Sequence, residues 1–453
     1  MIHKINEIVW GPWLLFAFLA VGFYYSFSGR FFQIRKFWYW MGQTVGSLGG
    51  GQDNEETVRR EQAGEKKKVS QFQSACTALA ATIGTGNIVG VATALTAGGP
   101  GAIFWMWVSA VIGMMTAYSE TVLGLKYRYK NKQDQWVCGP MVYLDKGLHM
   151  PVLGILYAFF CVMASLGMGS MVQANSLADT AGYSLGMPGL VCGALVTILV
   201  FLVIRGGISK ISLVAEKLMP VSAGIYFIFS MIIIFSYYQQ IPQMIAGILR
   251  SAFDMSAVFG GTAGYCINKS LQYGISRGVF SNEAGLGTLA VLHGAAEDTT
   301  PKKQGMWAMF EVFFDTVVIC TLTAFVILLA TGGRPEAADV DGAALTAYCF
   351  SIKMGAAGEY FVAFSMIVFA FATIIAWYYM GKQAVSYLTE RVPKSREIGE
   401  KIYMLLYLNA VFLGCLARLE TVWEFSDIWN GLLAVPNLIG LMLLRKQVGA
   451  LDN

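Results

Sequence analysis

The chain has 453 residues, of which 56% are hydrophobic and 13% are charged, and its mean hydropathy is +0.56. Because ordinary globular proteins carry about 25% charged residues, this composition excludes a water-soluble domain and indicates a polytopic membrane protein. The formal net charge is only +4, and the basic residues flank apolar segments, so nothing points to nucleic-acid binding. We expect the lipid bilayer to be the main partner of the chain, and the sequence carries no sign of an oligomeric state.

Eleven apolar segments predict an all-α membrane fold with 11 transmembrane helices. Crossing a bilayer as a helix takes about 20 residues, and the alternating ten-residue pattern of a membrane β-barrel is missing from the sequence. Residues 31–40, aromatic and basic, suit a helix lying in the membrane interface, and residues 52–68 form a charged linker. The predicted spans are residues 10–28, 71–99, 101–127, 151–180, 188–206, 211–238, 257–280, 304–331, 359–381, 401–418 and 424–444.

Lys and Arg are distributed unevenly between the loops. If the spans alternate in direction, the great majority of the 32 basic residues fall on one side of the membrane. Because basic loops stay in the cytoplasm, we predict a multi-pass protein of the cell (inner) membrane. Its N-terminus would lie outside and its C-terminus in the cytoplasm, which agrees with an odd number of spans.

The number of spans also predicts an internal repeat. Setting the first span aside leaves two successive groups of five, and because five is odd the two groups enter the membrane from opposite sides. We therefore predict an inverted five-plus-five repeat with one extra N-terminal helix. The predicted units are residues 1–70 (N-terminal helix, interfacial segment and linker), 71–240 (first repeat) and 241–453 (second repeat).

Glycines interrupt the second span at residues 81–90, Ala-Thr-Ile-Gly-Thr-Gly-Asn-Ile-Val-Gly. Irregular backbone survives at membrane depth only where protein, water, ions or substrate satisfy its polar groups. Carriers of small molecules use such broken helices as binding sites. An inverted repeat should place a second interruption in the span 257–280, and we expect it at residues 270–274, after the glycine cluster at 260–264.

The sequence gives no indication of an enzyme. The three histidines, His3, His149 and His293, are far apart, and neither a metal-ligand spacing nor a nucleophile or phosphate-loop motif is present. A channel remains the other membrane function to consider, since broken helices also line pores. Channels usually assemble a symmetric filter, so one broken helix in each half of a single chain favours a carrier that works by alternating access.

Several separated motifs resemble those of one known family. Residues 98–108, Gly-Gly-Pro-Gly-Ala-Ile-Phe-Trp-Met-Trp-Val, resemble the signature of the alanine or glycine:cation symporters, which include the sodium:alanine symporters. The resemblance implies a sodium-coupled importer of a small neutral amino acid, on the inverted five-plus-five fold that other amino-acid symporters share. Further matching blocks are residues 78–87, 173–176, 277–287, 373–377 and 435–440.

The broken span predicts which groups compensate the charges of a bound amino acid. No acidic or basic side chain occurs between Phe72 and Trp105. In this span the backbone therefore has to provide the partial charges that bind the substrate. A helix that starts after the break points free N–H groups and its positive dipole end at the cavity. We predict that Thr85, Gly86 and Asn87 bind the substrate carboxylate.

The resemblance also implies a sodium site made of backbone oxygens. Carried over from the fold, the carbonyls of Ala80 and Ile83 would face the carbonyl of Phe369 and the hydroxyl of Thr373. Many family members carry a second hydroxyl residue just before this threonine, where this chain has Ala372. The coordination shell is therefore expected to lack one side-chain oxygen.

Other polar and aromatic residues are candidates for binding the rest of the substrate. Gln173 and Asn175 offer hydrogen bonds, and Trp377 could close the pocket. The wall that contacts the substrate side chain is expected from Leu271, Gln272 and Gly274. The resemblance implies alanine or glycine, whereas the polar Gln272 leaves glutamine or serine as an alternative.

Ionisable residues inside spans leave a second alternative open. Lys217 would support coupling to protons, because some proton-coupled carriers of this fold place a lysine where others bind sodium. Its side chain is more simply expected to reach the membrane surface. The acidic residues inside or next to spans could relay protons, but they are more simply expected to pair with Lys217, Lys269 or Arg277; they are Glu120, Glu216, Glu311 and Asp315. Glu283 is expected to brace the segment after the span 257–280.

Overall fold

Nearly all of the chain that the structure describes is helical. A computed structural model describes residues 2–50, 68–253, 263–338, 340, 342–390 and 395–449. Two short strands, β1 (Tyr129–Lys130) and β2 (Trp136–Val137), form an antiparallel hairpin. The first helices are α1 (Ile2–Val9), α2 (Pro12–Ser28), α3 (Phe32–Arg35), α4 (Phe37–Gln43), α5 (Gln71–Thr82), α6 (Gly86–Gly98), α7 (Gly101–Tyr127), α8 (Pro140–Val142), α9 (Pro151–Leu185) and α10 (Gly189–Ile204). The others are α11 (Gly207–Ser236), α12 (Ile241–Phe253), α13 (Ala263–Asn282), α14 (Thr288–His293), α15 (Pro301–Ala330), α16 (Gly342–Met354), α17 (Ala356–Thr389), α18 (Ser395–Gly414) and α19 (Leu419–Leu443).

Several of these helices are long and apolar enough to cross a membrane. Among the described residues six satisfy both conditions, and the bent pair α5 and α6 adds a seventh. This architecture confirms a multi-pass, all-α membrane protein, while 11 spans remain a prediction. The six are Lys4–Ser28, Gly101–Tyr127, Pro151–Leu185, Gly207–Ser236, Pro301–Ala330 and Ala356–Thr389.

Helix α5 begins with a capping box. Ser70 Oγ accepts from the backbone N–H of Gln73 (3.1 Å), and Gln73 Oε1 accepts from the N–H of Ser70 (3.2 Å). This reciprocal pair satisfies two of the donors that the first turn of a helix leaves open. Gln73 Nε2 also donates to Glu216 on α11 (2.9 Å), so the start of α5 is fixed both to itself and to a neighbouring helix.

The predicted break in the second span is confirmed. Helix α5 ends at Thr82, α6 begins at Gly86, and their axes differ by 48°. Between them Ile83 is extended, with φ −77° and ψ 93°, and the first turn of α6, Gly86–Gly90, is π-helical. Such turns are rare and often lie at functional sites.

The second interruption lies elsewhere than the sequence suggested, and the expectation at residues 270–274 is wrong. Helix α13 is continuous through these residues to Asn282, since their single glycine does not break it. The chain leaves the helix at residues 283–287, where Glu283, Gly285 and Gly287 have φ values of 58°, 91° and 79°. Of the cluster at 260–264, residues 263 and 264 start α13 and the others lie outside the described residues.

The two interruptions are neighbours because glycine lets the helices touch. A Cβ atom added to Gly86 would lie 3.1 Å from Ser281 Cα, and one added to Gly98 would lie 3.0 Å from Tyr273 Cβ. Helices α6 and α13 therefore run antiparallel in close contact, an arrangement that small residues allow in membranes. Helix α17 packs against α5.

Residues 31–40 contribute to the short helices α3 and α4, which have one exposed side and one buried side. Trp38 is 83% exposed, whereas Trp40 is fully buried and its ring packs on that of Phe313 at 5.9 Å. This two-sided character fits the predicted interfacial position. Helices α12 and α16, which lie between predicted spans, were not foreseen.

Gly274 tests the close packing of α13. A Cβ atom there would lie 2.4 Å from the carbonyl oxygen of Ala102 on α7, so Gly274→Ala should force the helices apart and destabilise the protein by about 1–3 kcal/mol. Gly247→Ala is the matched control, because nothing lies within 4 Å of its added Cβ. Thermal unfolding in detergent should show a lower midpoint for Gly274→Ala only; equal midpoints would contradict the contact.

Candidate functional site at the helix break

Four oxygen atoms converge beside the break between α5 and α6. The hydroxyl oxygen of Thr373 on α17 lies 2.9 Å from the carbonyl oxygen of Ala80, 3.4 Å from that of Ile83 and 3.0 Å from that of Phe369. All four residues are at most 1% exposed. The structure thus brings together the residues expected to bind sodium.

The break explains why the carbonyls of Ala80 and Ile83 are available. In a continuous helix the N–H of Gly84 would donate to Ala80, but here it donates to Asn87 Oδ1 at 2.9 Å. The N–H of Thr85 donates instead to Gln173 Oε1 on α9, at 3.1 Å. Carbonyl oxygens at the end of α5 therefore lose their helical donors, and Thr373 can supply only one proton to three acceptors.

Gly84 allows the close approach of α17 and α9 to the break. A Cβ atom on Gly84 would lie 2.5 Å from Thr373 Oγ1 and 2.9 Å from Gln173 Oε1. Any other residue would press against both side chains. The sequence pattern showed the glycine but not which neighbours require it.

The residues predicted to bind the carboxylate line the start of α6. Thr85 and Asn87 are fully buried, and the hydroxyl of Thr85 has no hydrogen-bond partner in the described part of the chain. Gly86 packs on Ser281. Gln173 shares this region, with its Nε2 donating to the carbonyl of Met168 at 3.2 Å.

A second group of buried polar side chains adjoins Asn87, and its contacts were not predicted from the sequence. Asn87 Nδ2 donates to Asp315 Oδ1 (2.6 Å), and Ser281 and Thr316 donate to Asp315 Oδ2 at 2.8 and 2.7 Å. Asp315 was expected to pair with a lysine or arginine, and it binds neutral donors instead. The acidic residue inside an apolar span was the signal; its partners depend on the tertiary fold.

Trp377 lies one helical turn beyond Thr373 and packs against Gly169, where an added Cβ would lie 2.4 Å from Trp377 Cβ. Its indole N–H donates to Glu283 Oε1 at 2.8 Å. Glu283 thereby connects the second interruption to α17. The bracing role expected of Glu283 agrees with this contact, while a contact of Trp377 with substrate remains a prediction.

The structure does not bring all predicted residues to the break. Asn175 Nδ2 donates to the carbonyls of Gly414 and Ala417 (2.9 and 2.8 Å), so it fastens α9 to the end of α18. Gly274 faces α7, as described above. Leu271 and Gln272 are half-buried on α13, next to the end of α6 rather than the break.

The charged residues within spans have other partners than expected. Arg277 on α13 forms a bidentate ion pair with Asp427 on α19 (3.2 and 3.1 Å), and Glu311 lies 3.0 Å from His293. Lys217 is exposed on α11. It is therefore not among the groups gathered at the break.

A cavity of about 700 Å³ lies at the end of the bundle that carries the β-hairpin. It is lined where the starts of α5 and α11 face α17, by Val69, Ile211, Tyr378 and Gln383 among others. Tyr378 lies about one helical turn beyond Thr373. The residues that line the cavity do not include Ala80, Ile83, Phe369 or Thr373.

The long apolar helices and the buried site at a broken span define a multi-pass membrane transporter. The chain belongs to the sodium:alanine symporter family, whose model matches residues 1–452. This is a family of transporters rather than enzymes, and it supports secondary transport of amino acids.

Similar proteins agree with this assignment. The sodium/alanine symporter AgcS of Methanococcus maripaludis is 38% identical over 99% of this chain and 95% of its own. The probable sodium/glutamine symporter GlnT of Bacillus subtilis is 33% identical over 98% and 87%. The crystal structure of MhsT in complex with L-phenylalanine matches with a TM-score of 0.55 at 14% identity, covering 85% of this chain and 100% of that one. The MhsT structure has the LeuT-type fold.

Gly84→Ala should disrupt the contact between α5, α9 and α17. The added methyl group would overlap Thr373 and Gln173, at a cost of about 1–3 kcal/mol in the free energy of unfolding. Gly90→Ala, at a helical position in the same segment with nothing within 4 Å of the added Cβ, should be neutral or slightly stabilising. Thermal unfolding of both variants checks this, and similar destabilisation by both would speak against the contact.

Proposed function

We propose that this protein imports a small neutral amino acid, alanine or glycine, together with Na⁺ by alternating access. The observation that carries the proposal is the group of four buried oxygens around Thr373. One hydroxyl proton serves only one of the three carbonyl oxygens at a time. A cation bound between them would satisfy all four oxygens at once.

Sodium suits these atoms because hard cations prefer oxygen ligands. All four ligands are neutral groups: the carbonyls of Ala80, Ile83 and Phe369 and the hydroxyl of Thr373. Their oxygen atoms would attract a monovalent cation, but no negative charge at the site would cancel its charge. An ion here would join α5 to α17 and fix the geometry of the break. By linkage, an ion that favours the substrate-binding geometry raises substrate affinity, and substrate raises the affinity for the ion.

The amino acid would bind at the adjacent start of α6. The N–H groups and positive dipole end of this half-helix suit the substrate carboxylate, at Thr85, Gly86 and Asn87. The unpaired hydroxyl of Thr85 and the amide of Gln173 supply further hydrogen bonds. The fully buried Trp377 limits the room for the substrate side chain, which favours a small amino acid.

The proposed membrane arrangement follows the sequence. The chain would cross the cell membrane in 11 spans, with its N-terminus outside and its C-terminus in the cytoplasm. Residues 71–240 and 241–453 would form the inverted repeats. The cavity beside α5, α11 and α17 would then open to the cytoplasm and provide the exit path for ion and substrate.

Two alternatives use the same fold. Glutamine as substrate is favoured by the similarity to GlnT, whereas Gln272, which left glutamine or serine open in the sequence, lies next to the end of α6 rather than at the break. Coupling to protons would need a titratable group at the ion site, and the candidate Lys217 is exposed. Sodium coupling is therefore the better supported mechanism.

Replacing Thr373 tests the ion site. Thr373→Ala removes one of four oxygens, and because one ligand contact is worth about 1.5 kcal/mol, the Na⁺ concentration for half-maximal uptake should rise about tenfold. Thr373→Ser keeps the hydroxyl and should respond like the wild type. Uptake of labelled alanine into proteoliposomes is measured under an imposed Na⁺ gradient and, separately, under a pH gradient alone. Uptake driven only by the pH gradient would overturn the sodium assignment.

Competition experiments test the substrate. Unlabelled glycine should compete strongly with labelled alanine, and glutamine weakly. Because Gln272 lies beside the end of α6 and not at the break, Gln272→Leu should change competition by neither glycine nor glutamine, as should Gln240→Leu at an exposed position. Stronger competition by glutamine than by glycine in the wild type would instead favour the glutamine carrier.

A further inference from the structure

A second cavity, of about 610 Å³, lies at the end of the bundle remote from the β-hairpin. Its lining comes from Pro100, from α12 and from the end of α15 with the turn that follows. Pro100 directly precedes α7 and the β-hairpin follows it. Because the 27 residues of α7 span about 40 Å as a helix, the cavity and the hairpin lie at opposite ends of the protein.

Two arginines line this cavity without a partner. Arg250 on α12 and Arg334 after α15 are both exposed, and neither forms an ion pair or a hydrogen bond through its guanidinium group within the described part of the chain. The described residues of the lining include no acidic side chain. Two positive charges that share one cavity repel each other, so the cavity is suited to an anion.

Helix α12 has the properties of a helix that lies in the membrane interface. Ile245, Leu249 and Phe253, spaced four residues apart, are exposed. The buried side of the helix, with Ile248 and Ala252, packs against α7. A surface helix that exposes an apolar face is typical of one whose apolar side enters the lipid boundary. The cavity that α12 lines is therefore at the level of the lipid headgroups.

The position of α15 agrees with this depth. Residues 301–330 form a helix long and apolar enough to cross a membrane, so the turn at Gly332, Gly333 and Arg334 lies where the chain leaves the hydrocarbon. The apolar side chains of Leu328 and Leu329, in the last turn of α15, line the same cavity. The cavity thus combines a charged part at the membrane surface with an apolar part on the side of the hydrocarbon.

These groups match the chemistry of a phospholipid. The guanidinium group of arginine binds phosphate oxygens through two parallel N–H groups. The amides of Gln240 and Gln243, also in the lining, can donate further hydrogen bonds. Gly247 leaves the wall of α12 open, since nothing lies within 4 Å of an added Cβ atom.

We propose that this cavity binds an anionic phospholipid, with the phosphate between Arg250 and Arg334 and an acyl chain along Leu328 and Leu329. The lipid would also contact Pro100, which joins α6 to α7, and would hold the end of the half-helix that begins at the break. This inference needs only a membrane protein, so it does not depend on which substrate or ion is transported.

Native mass spectrometry of the full-length protein in neutral detergent tests the lipid site. The wild type should bind one phosphatidylglycerol molecule more tightly than phosphatidylcholine, which has no net charge. Arg250→Gln and Arg334→Gln should each raise the dissociation constant of phosphatidylglycerol about fivefold, the effect of one basic residue near an anionic lipid, and the double variant about thirtyfold.

Arg418→Gln is the matched control. Arg418 is also exposed, and it lies at the same end of the bundle, because α18 begins beside the hairpin, where Arg396 contacts Gln133, and runs away from it. It does not line the cavity, so its replacement should leave the affinity for phosphatidylglycerol unchanged. Equal thermal unfolding midpoints of all variants in lipid-free detergent would show that they are folded.

A second kind of variant tests the cavity without changing a charge. Gly247→Leu would place a side chain inside the cavity and should weaken binding of phosphatidylglycerol about tenfold, if one contact worth about 1.4 kcal/mol is lost. It decides the matter if the arginine variants do not fold. Unchanged affinity in Gly247→Leu would contradict a lipid in this cavity.

Three further results would overturn the proposal. The first is equal affinity of the wild type and the double arginine variant for phosphatidylglycerol. The second is equal affinity of the wild type for phosphatidylglycerol and phosphatidylcholine, because charge would then play no part. The third is binding of glycerol phosphate as tight as that of the whole lipid, which would identify a soluble anion as the ligand.

Discussion

Peptide groups that leave a helix inside a membrane have to find their partners within the protein, because hydrocarbon offers none. Three side chains meet this need between α5 and α6. Gln173 accepts from the N–H of Thr85, Asn87 accepts from that of Gly84, and Thr373 contacts the carbonyl of Ala80. These side chains come from three different helices. The break is therefore maintained only while those helices stay packed together. A conformational change at the break would affect all three helices.

The same contacts explain how a ligand could act on the conformation. Each side chain at the break occupies a position that an ion or a substrate group could take over, so binding would exchange internal partners for external ones. Glycine at positions 84 and 86 brings α17, α9 and α13 close enough for these contacts. Glu283, at the interruption after α13, accepts from the indole N–H of Trp377 and so connects this interruption to α17.

Features with a local cause could be predicted from the sequence. The break at Gly84 and Gly86 was foreseen because glycines inside an apolar span are easily recognised in the sequence. The family resemblance placed Thr373 beside Ala80. The second interruption was misplaced because one of its residues with positive φ is Glu283, which the sequence pattern does not reveal. The neighbours of Asn175, Gly274 and Asp315 depend on how helices are rotated against each other. Apolar spans show little periodicity, so the sequence contains weak information about which side of a helix faces which partner.

We propose that the transported cation is bound by the backbone oxygens of Ala80 and Ile83 at the break, together with the carbonyl oxygen of Phe369 and the hydroxyl group of Thr373. Anomalous diffraction from crystals of the protein in which a heavy monovalent cation replaces Na⁺ tests it most directly. We predict a peak enclosed by the carbonyl oxygens of Ala80, Ile83 and Phe369 and by Thr373 Oγ1, and its loss in crystals of the Thr373→Ala variant. Saturated crystals without density at this position would contradict the claim.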